Sequence, residues 1–218
     1  MTTSMRLAAA AAAAGLILAP GGAALAGSGH GSGHGSNHSG THGGQGGTHG
    51  SAAVEHLQKQ LLRQIERLGD RMDHATRESR LAPLAEEARA GVLANVAADQ
   101  AALADLAALV DAATTRDELT DLRKQLRAVH PENYEITVAS LRSAARLSAR
   151  IVELRTTLAA DPAALARLDE ADALVASATD KALAVTAASS KSDVRAVRTD
   201  LDAAQQIVGE VDADADTR

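Results

Sequence analysis

Five histidines, His30, His34, His38, His42 and His49, punctuate residues 27–51, GSGHGSGHGSNHSGTHGGQGGTHGS. The first four recur at every fourth position, and neutral imidazole is a good ligand for Zn²⁺, Cu²⁺ or Ni²⁺. On a helix this spacing would stack the rings along one face. The many glycines disfavour a helix, so the ligands are not preorganised and each must be ordered as metal binds. The chemistry to expect is weak capture in which protons compete with the metal. The same composition suits a plain hydrophilic spacer, and that simpler reading is preferred to a metal role in the cell. An amino-terminal copper site is not favoured, because cleavage after Ala26 would place His30 fourth rather than third.

Elsewhere the chemistry is sparse. There is no Cys, so no thiol nucleophile and no disulfide framework are available. Asp70 and His74 lie one helical turn apart and have ligating atoms, but beside Arg71 and Asp73 they read as a solvated face. His130-Pro131-Glu132-Asn133-Tyr134-Glu135 gathers polar groups and the only aromatic residue at a helix break. Such loops bind ligands, yet a kinked connection with Tyr134 covering the end of the core accounts for it more simply. Glu-x-x-His pairs, His-Glu-x-x-His, Gly-x-Ser-x-Gly, a phosphate loop and a dinucleotide fingerprint are all missing. No nucleophile, base and orienting group can be assembled. The sequence reads as a non-enzyme with no cofactor beyond weakly held tail metal. With 22 Lys+Arg against 28 Asp+Glu and a net charge of -6, no nucleic-acid partner is expected.

These residues are preceded by an address. In residues 1–26, Arg6 forms a basic start, Leu7 to Ala19 an apolar run, and Pro20-Gly21-Gly22 a break. Ala24-Leu25-Ala26 then supplies the small residues that signal peptidase requires. The apolar run rises only about 20 Å, short of the hydrocarbon core of about 30 Å. Secretion or cell-envelope association after cleavage near Ala26 is the expectation. Ser28 stands where a lipobox would need Cys, so no lipid anchor is expected, and no later apolar run is read as a transmembrane anchor.

The elements that must carry any site begin at Ala52. Ala fills roughly a quarter of the chain, and Ala and Leu favour helices. Val54, Leu57, Leu61, Ile65, Leu68 and Met72 step by three or four residues, an amphipathic seam. Pro83 suits a first helical turn. Leu84, Val92, Val96, Leu103, Leu106 and Val110 mark the next core face. Thr115-Arg116-Asp117-Glu118 is a capping box, and Pro131 interrupts the helix that follows. Ile136 to Leu158, Leu165 to Val185 and Val194 to Val208 give three further seams, the second opened by Asp161-Pro162. The fold class is all-α: an antiparallel helical bundle or elongated helical array of five to six helices. It spans 52–211, after a signal peptide (1–26) and a disordered segment (27–51), with a frayed acidic tail (212–218).

An export signal, a low-complexity segment and helices around Asp121-Leu122-Arg123 and Asn133-Tyr134-Glu135-Ile136 resemble a group of secreted, Ala-rich helical proteins of actinobacteria. There, too, a Tyr-containing helix follows a Thr-x-x-Glu-Leu start, here Thr115 to Leu119. The likeness covers roughly 100–208, and this chain lacks the second Tyr and the later Pro of that group. The resemblance implies export and a helical fold but carries over no site. The function to expect is interaction with an envelope or extracellular protein. Metal capture through the tail and holdase-like chaperoning are the alternatives.

Overall fold

The apolar seams become seven helices among the described residues of a computed structural model, which describes residues 48–216 and the side chains of 51–215. They are α1 (Thr48–Ala75), α2 (Glu78–Leu81), α3 (Glu86–Ala112), α4 (Arg116–Leu126), α5 (Glu132–Thr157), α6 (Pro162–Leu183) and α7 (Lys191–Asp216). No strand occurs among the described residues. Six of the seven match the seams read from sequence; the extra one is the single turn α2.

Local capping chemistry sets several ends. The Thr115 hydroxyl accepts from Glu118 N (3.3 Å), while Glu118 Oε2 accepts from Thr115 N (3.0 Å) and Thr114 N (2.9 Å). Asp161 Oδ1 accepts from Ala163 N and Ala164 N, with Pro162 at the first helical position. Ser190 and Asp193 satisfy each other's backbone N–H groups. Pro83 is a correction. It lies in the turn after α2, and α3 starts only at Glu86. Leu84 N donates to Leu81 O, and the Leu84 side chain is buried. Anchoring that side chain turns the chain before the acidic pair Glu86-Glu87 opens the helix.

Hydrogen bonds and ion pairs fix the directions. Arg155 at the end of α5 meets Asp169 (2.7 Å) and Asp172 (3.2 Å) of α6. Lys181 at the end of α6 meets Asp200 of α7 (2.6 Å). Hence α6 runs antiparallel to α5 and α7, and α5 and α7 run parallel. Gln58 near the start of α1 donates to the carbonyls of Val110 and Ala113 at the end of α3, so α1 and α3 are antiparallel. The group α1, α3, α4 joins the group α5, α6, α7 chiefly through α5. One continuous core runs through both groups, including Leu61, Met72, Val92, Leu119, Ile151 and Leu168. The all-α class is the one expected from the sequence, with seven helices among the described residues rather than five to six and with α5 and α7 parallel. Leu165 and Leu183, read as core, are only half-buried.

Three expectations change. α1 begins at Thr48 rather than Ala52, so His49 lies in its first turn. The acidic end does not fray through its whole length. α7 continues to Asp216, with Asp212 paired to Arg150 and Asp214 to Arg167, because basic side chains of α5 and α6 flank it. α3, finally, is long and apolar enough by length and composition to cross a membrane, with a window of mean hydropathy 1.3. The expectation that no later run has that character is therefore corrected. In this fold Val92, Val96, Leu103, Leu106 and Val110 bury one face of α3 within the bundle.

Acid should loosen this architecture. The Glu118 carboxyl is held below its ordinary value, chiefly by the Thr114 and Thr115 N–H groups, and Asp193 by the Ser190 hydroxyl. The Lys181 ammonium does the same for Asp200. A carboxyl whose folded pKa is depressed contributes stability above its unfolded value, and that contribution is lost as pH falls through the folded value. Unfolding followed by circular dichroism should therefore show stability declining as pH falls below the ordinary carboxyl values of 3.8 and 4.5. Thr115→Ala should cost about 1 kcal/mol at neutral pH through loss of the cap. A smaller acid-induced drop in Glu118→Gln checks the link to that carboxyl.

Candidate functional site

Two polar residues one turn apart on α3, Asn95 and Asp99, reach across to the loop between α6 and α7. Asn95 Nδ2 donates to Leu183 O (2.8 Å) and Val185 O (3.2 Å). Asp99 Oδ2 accepts from Ala187 N (2.6 Å) and from the Tyr134 hydroxyl (2.5 Å). The start of α5 grips the same loop. His130 N donates to Ala187 O, and Asn133 Nδ2 donates to Thr186 O and Ser189 O. Residues of α3 and α5 thus hold the backbone from Leu183 to Ser189. Tyr134 is fully buried. Burial, first, and the Asp99 carboxylate, second, push its hydroxyl well above the ordinary phenol range. It stays a hydrogen-bond donor and is no base. This joint seats the start of α5 beside the start of α7.

Beyond the joint, the parallel pair α5 and α7 leaves a groove of about 690 Å³, a size within the roughly 300–1,000 Å³ of ligand sites. Ile136, Leu147 and Leu201 give it an apolar floor, Ala139, Ser140 and Ser143 a low wall on α5, and Arg146, Arg198, Asp202 and Gln205 polar margins. On α7 the groove residues Arg198, Asp202 and Gln205 lie on one flank of Leu201. Asp200, which meets α6, lies on the other. The groove is therefore on the side of the pair away from α6. Ser140 is only 6% exposed and its hydroxyl has no hydrogen-bond partner among the described residues. It opens on the groove. What this arrangement can do is bind: it has an apolar bed, charges at the margins and the Ser140 and Ser143 hydroxyls on its α5 wall.

The residues singled out by sequence fall elsewhere. His30, His34, His38 and His42 lie outside the described residues, and of His49 only the helical backbone is described. Among the described residues, no three His, Cys, Asp or Glu side chains gather to hold a metal. His74 is engaged by Arg80 Nη2 (3.0 Å), and Asp70 stays on the exposed face of α1. Tyr134, expected to cover the core's end, lies inside it. Sequence reasoning missed Asn95 and Asp99, because α3 also carries Glu86, Glu87, Arg89, Gln100, Asp105 and Asp111 and nothing local sets these two apart. It also missed the groove, whose small α5 residues looked like ordinary helix surface. No family model matches the chain, and no curated protein or solved structure is significantly similar to it.

Proposed function

We propose that this is an exported, non-enzymatic helical protein that acts by non-covalent interaction in the cell envelope or outside the cell. The observation that carries the interaction reading is the α5–α7 groove, with an apolar bed and the nearly buried Ser140 on its wall. The basic start, apolar run and Ala24-Leu25-Ala26 of the N-terminus support export, as does the resemblance to secreted Ala-rich helical proteins. A photoreactive amino acid placed at Gln205, in the groove, and at Lys124, on the exposed side of α4, tests the reading in the native envelope. A discrete adduct from Gln205 and none from Lys124 is expected. Equal labelling from both, or none from Gln205, would overturn it.

A further inference from the structure

α3 presents outward a stretch that lacks any charge. Ala90, Leu93, Ala94, Ala97, Ala101 and Ala104 are all exposed, and Leu93 is 43% exposed. The alanines step by four and three, the spacing of a helix-packing seam. The seam rises about 21 Å, and the α5 wall of the groove from Glu135 to Leu147 about 18 Å.

We propose that the groove of one copy receives the outer face of α3 from a second copy, so that the chain assembles head to tail. The proposal rests on the reading of the groove as a binding surface and names its occupant. The opposite flank of the same α5–α7 pair is already filled in this way. There α6 lies antiparallel and buries Leu168, Ala171, Val175, Ala178 and Ala182 at similar steps. The outer face of α3 offers the same kind of small-residue seam. A bare alanine face lets two backbones approach closely, which brings carbonyl oxygens within reach of a hydroxyl such as that of Ser140.

Charge points the same way. The flanks and ends of α3 carry Glu86, Glu87, Asp105 and Asp111 against Arg89. In the groove Glu135 is already met by Arg80 (3.7 Å), leaving Arg146 and Arg198 against Asp202. An acidic helix thus meets a groove with a net positive margin. Pairing α3 with itself in antiparallel order would instead set Glu86 and Glu87 against Asp105 and Asp111. Lipid is a poor occupant, since alanine buries little apolar surface.

One helix in one groove covers well under the roughly 800 Å² per partner of stable complexes, so association should be weak. A head-to-tail contact need not close on itself, and the mass should rise past the dimer. Sedimentation equilibrium of the chain from about 10 μM to 1 mM is expected to show that rise; these concentrations are chosen for an interface below standard size. The double variants Ala97→Arg/Ala101→Arg and Ala139→Trp/Ser143→Trp should each remain monomeric. Mixed in equal amounts they should form a heterodimer and nothing larger, because one supplies only a groove and the other only a helix.

Circular dichroism checks that both variants fold. Should the tryptophan pair unfold, Gln205→Trp on the exposed margin of α7 replaces it. A chain that stays monomeric throughout, association that survives either variant, or a mixture that fails to pair would each overturn the proposal. A Gln205 adduct to a different protein, beside a monomeric chain, would sink self-assembly and leave the interaction reading standing.

Discussion

Asp99→Ala should be among the most damaging single changes in this protein, lowering the unfolding free energy by about 3 kcal/mol or more. It removes two hydrogen bonds to a charged acceptor, each of the kind worth about 1.5–3 kcal/mol, and strands the donors that made them. Those donors are the fully buried Tyr134 hydroxyl and the Ala187 N–H. For a chain of this size the melting temperature should fall by roughly 6–12 °C. Asp99→Asn keeps one oxygen where both donors point but loses the charge, so it should fall between wild type and Asp99→Ala. Tyr134→Phe removes one of the two bonds and leaves Asp99 bound to Ala187, at about half the cost. Chemical denaturation of the three variants checks the order. Equal, small effects would mean that the joint does not hold the α6–α7 loop.

Leu168→Ala should cost about 3 kcal/mol, within the roughly 2–5 kcal/mol range for leucine truncation in a packed core. Leu168 is wholly inaccessible and belongs to the buried face of α6, in the first half of that helix. Its neighbours one turn away on α6 are Ala164 and Ala171, side chains too small to collapse into the space left behind. The same truncation at Leu93, 43% exposed on α3, should change stability by no more than about 0.5 kcal/mol. Denaturant midpoints measured side by side read the contrast, with the slope unchanged in both.

What could be read from the sequence was whatever is local along the chain. Thr115 with Glu118, Asp161 with Pro162, and Ser190 with Asp193 each complete a helix start within three residues, so residue type alone locates them. The leucine and valine seams announce buried faces because a helix brings every third or fourth residue to one side. The joint had no such mark. Asn95 finds its acceptors 88 and 90 residues away, on backbone carbonyls that no side-chain pattern encodes. The groove is likewise a product of two flanks meeting. Ser140 and Ser143 look like ordinary surface on α5 until α7 lies beside them. Pro83 misled because proline is equally at home in a turn and in a first helical turn, and the anchoring of Leu84 decided between them.

The chain contains one Tyr, no Trp and no Phe, and that Tyr is shut inside the joint with its hydroxyl given to a carboxylate. The intrinsic ultraviolet emission of this protein therefore originates at a single point. A phenol hydrogen-bonded to a carboxylate emits weakly, so release of the α6–α7 loop brightens it. Light from this molecule reports one latch opening, and a melting curve recorded that way is the history of that latch.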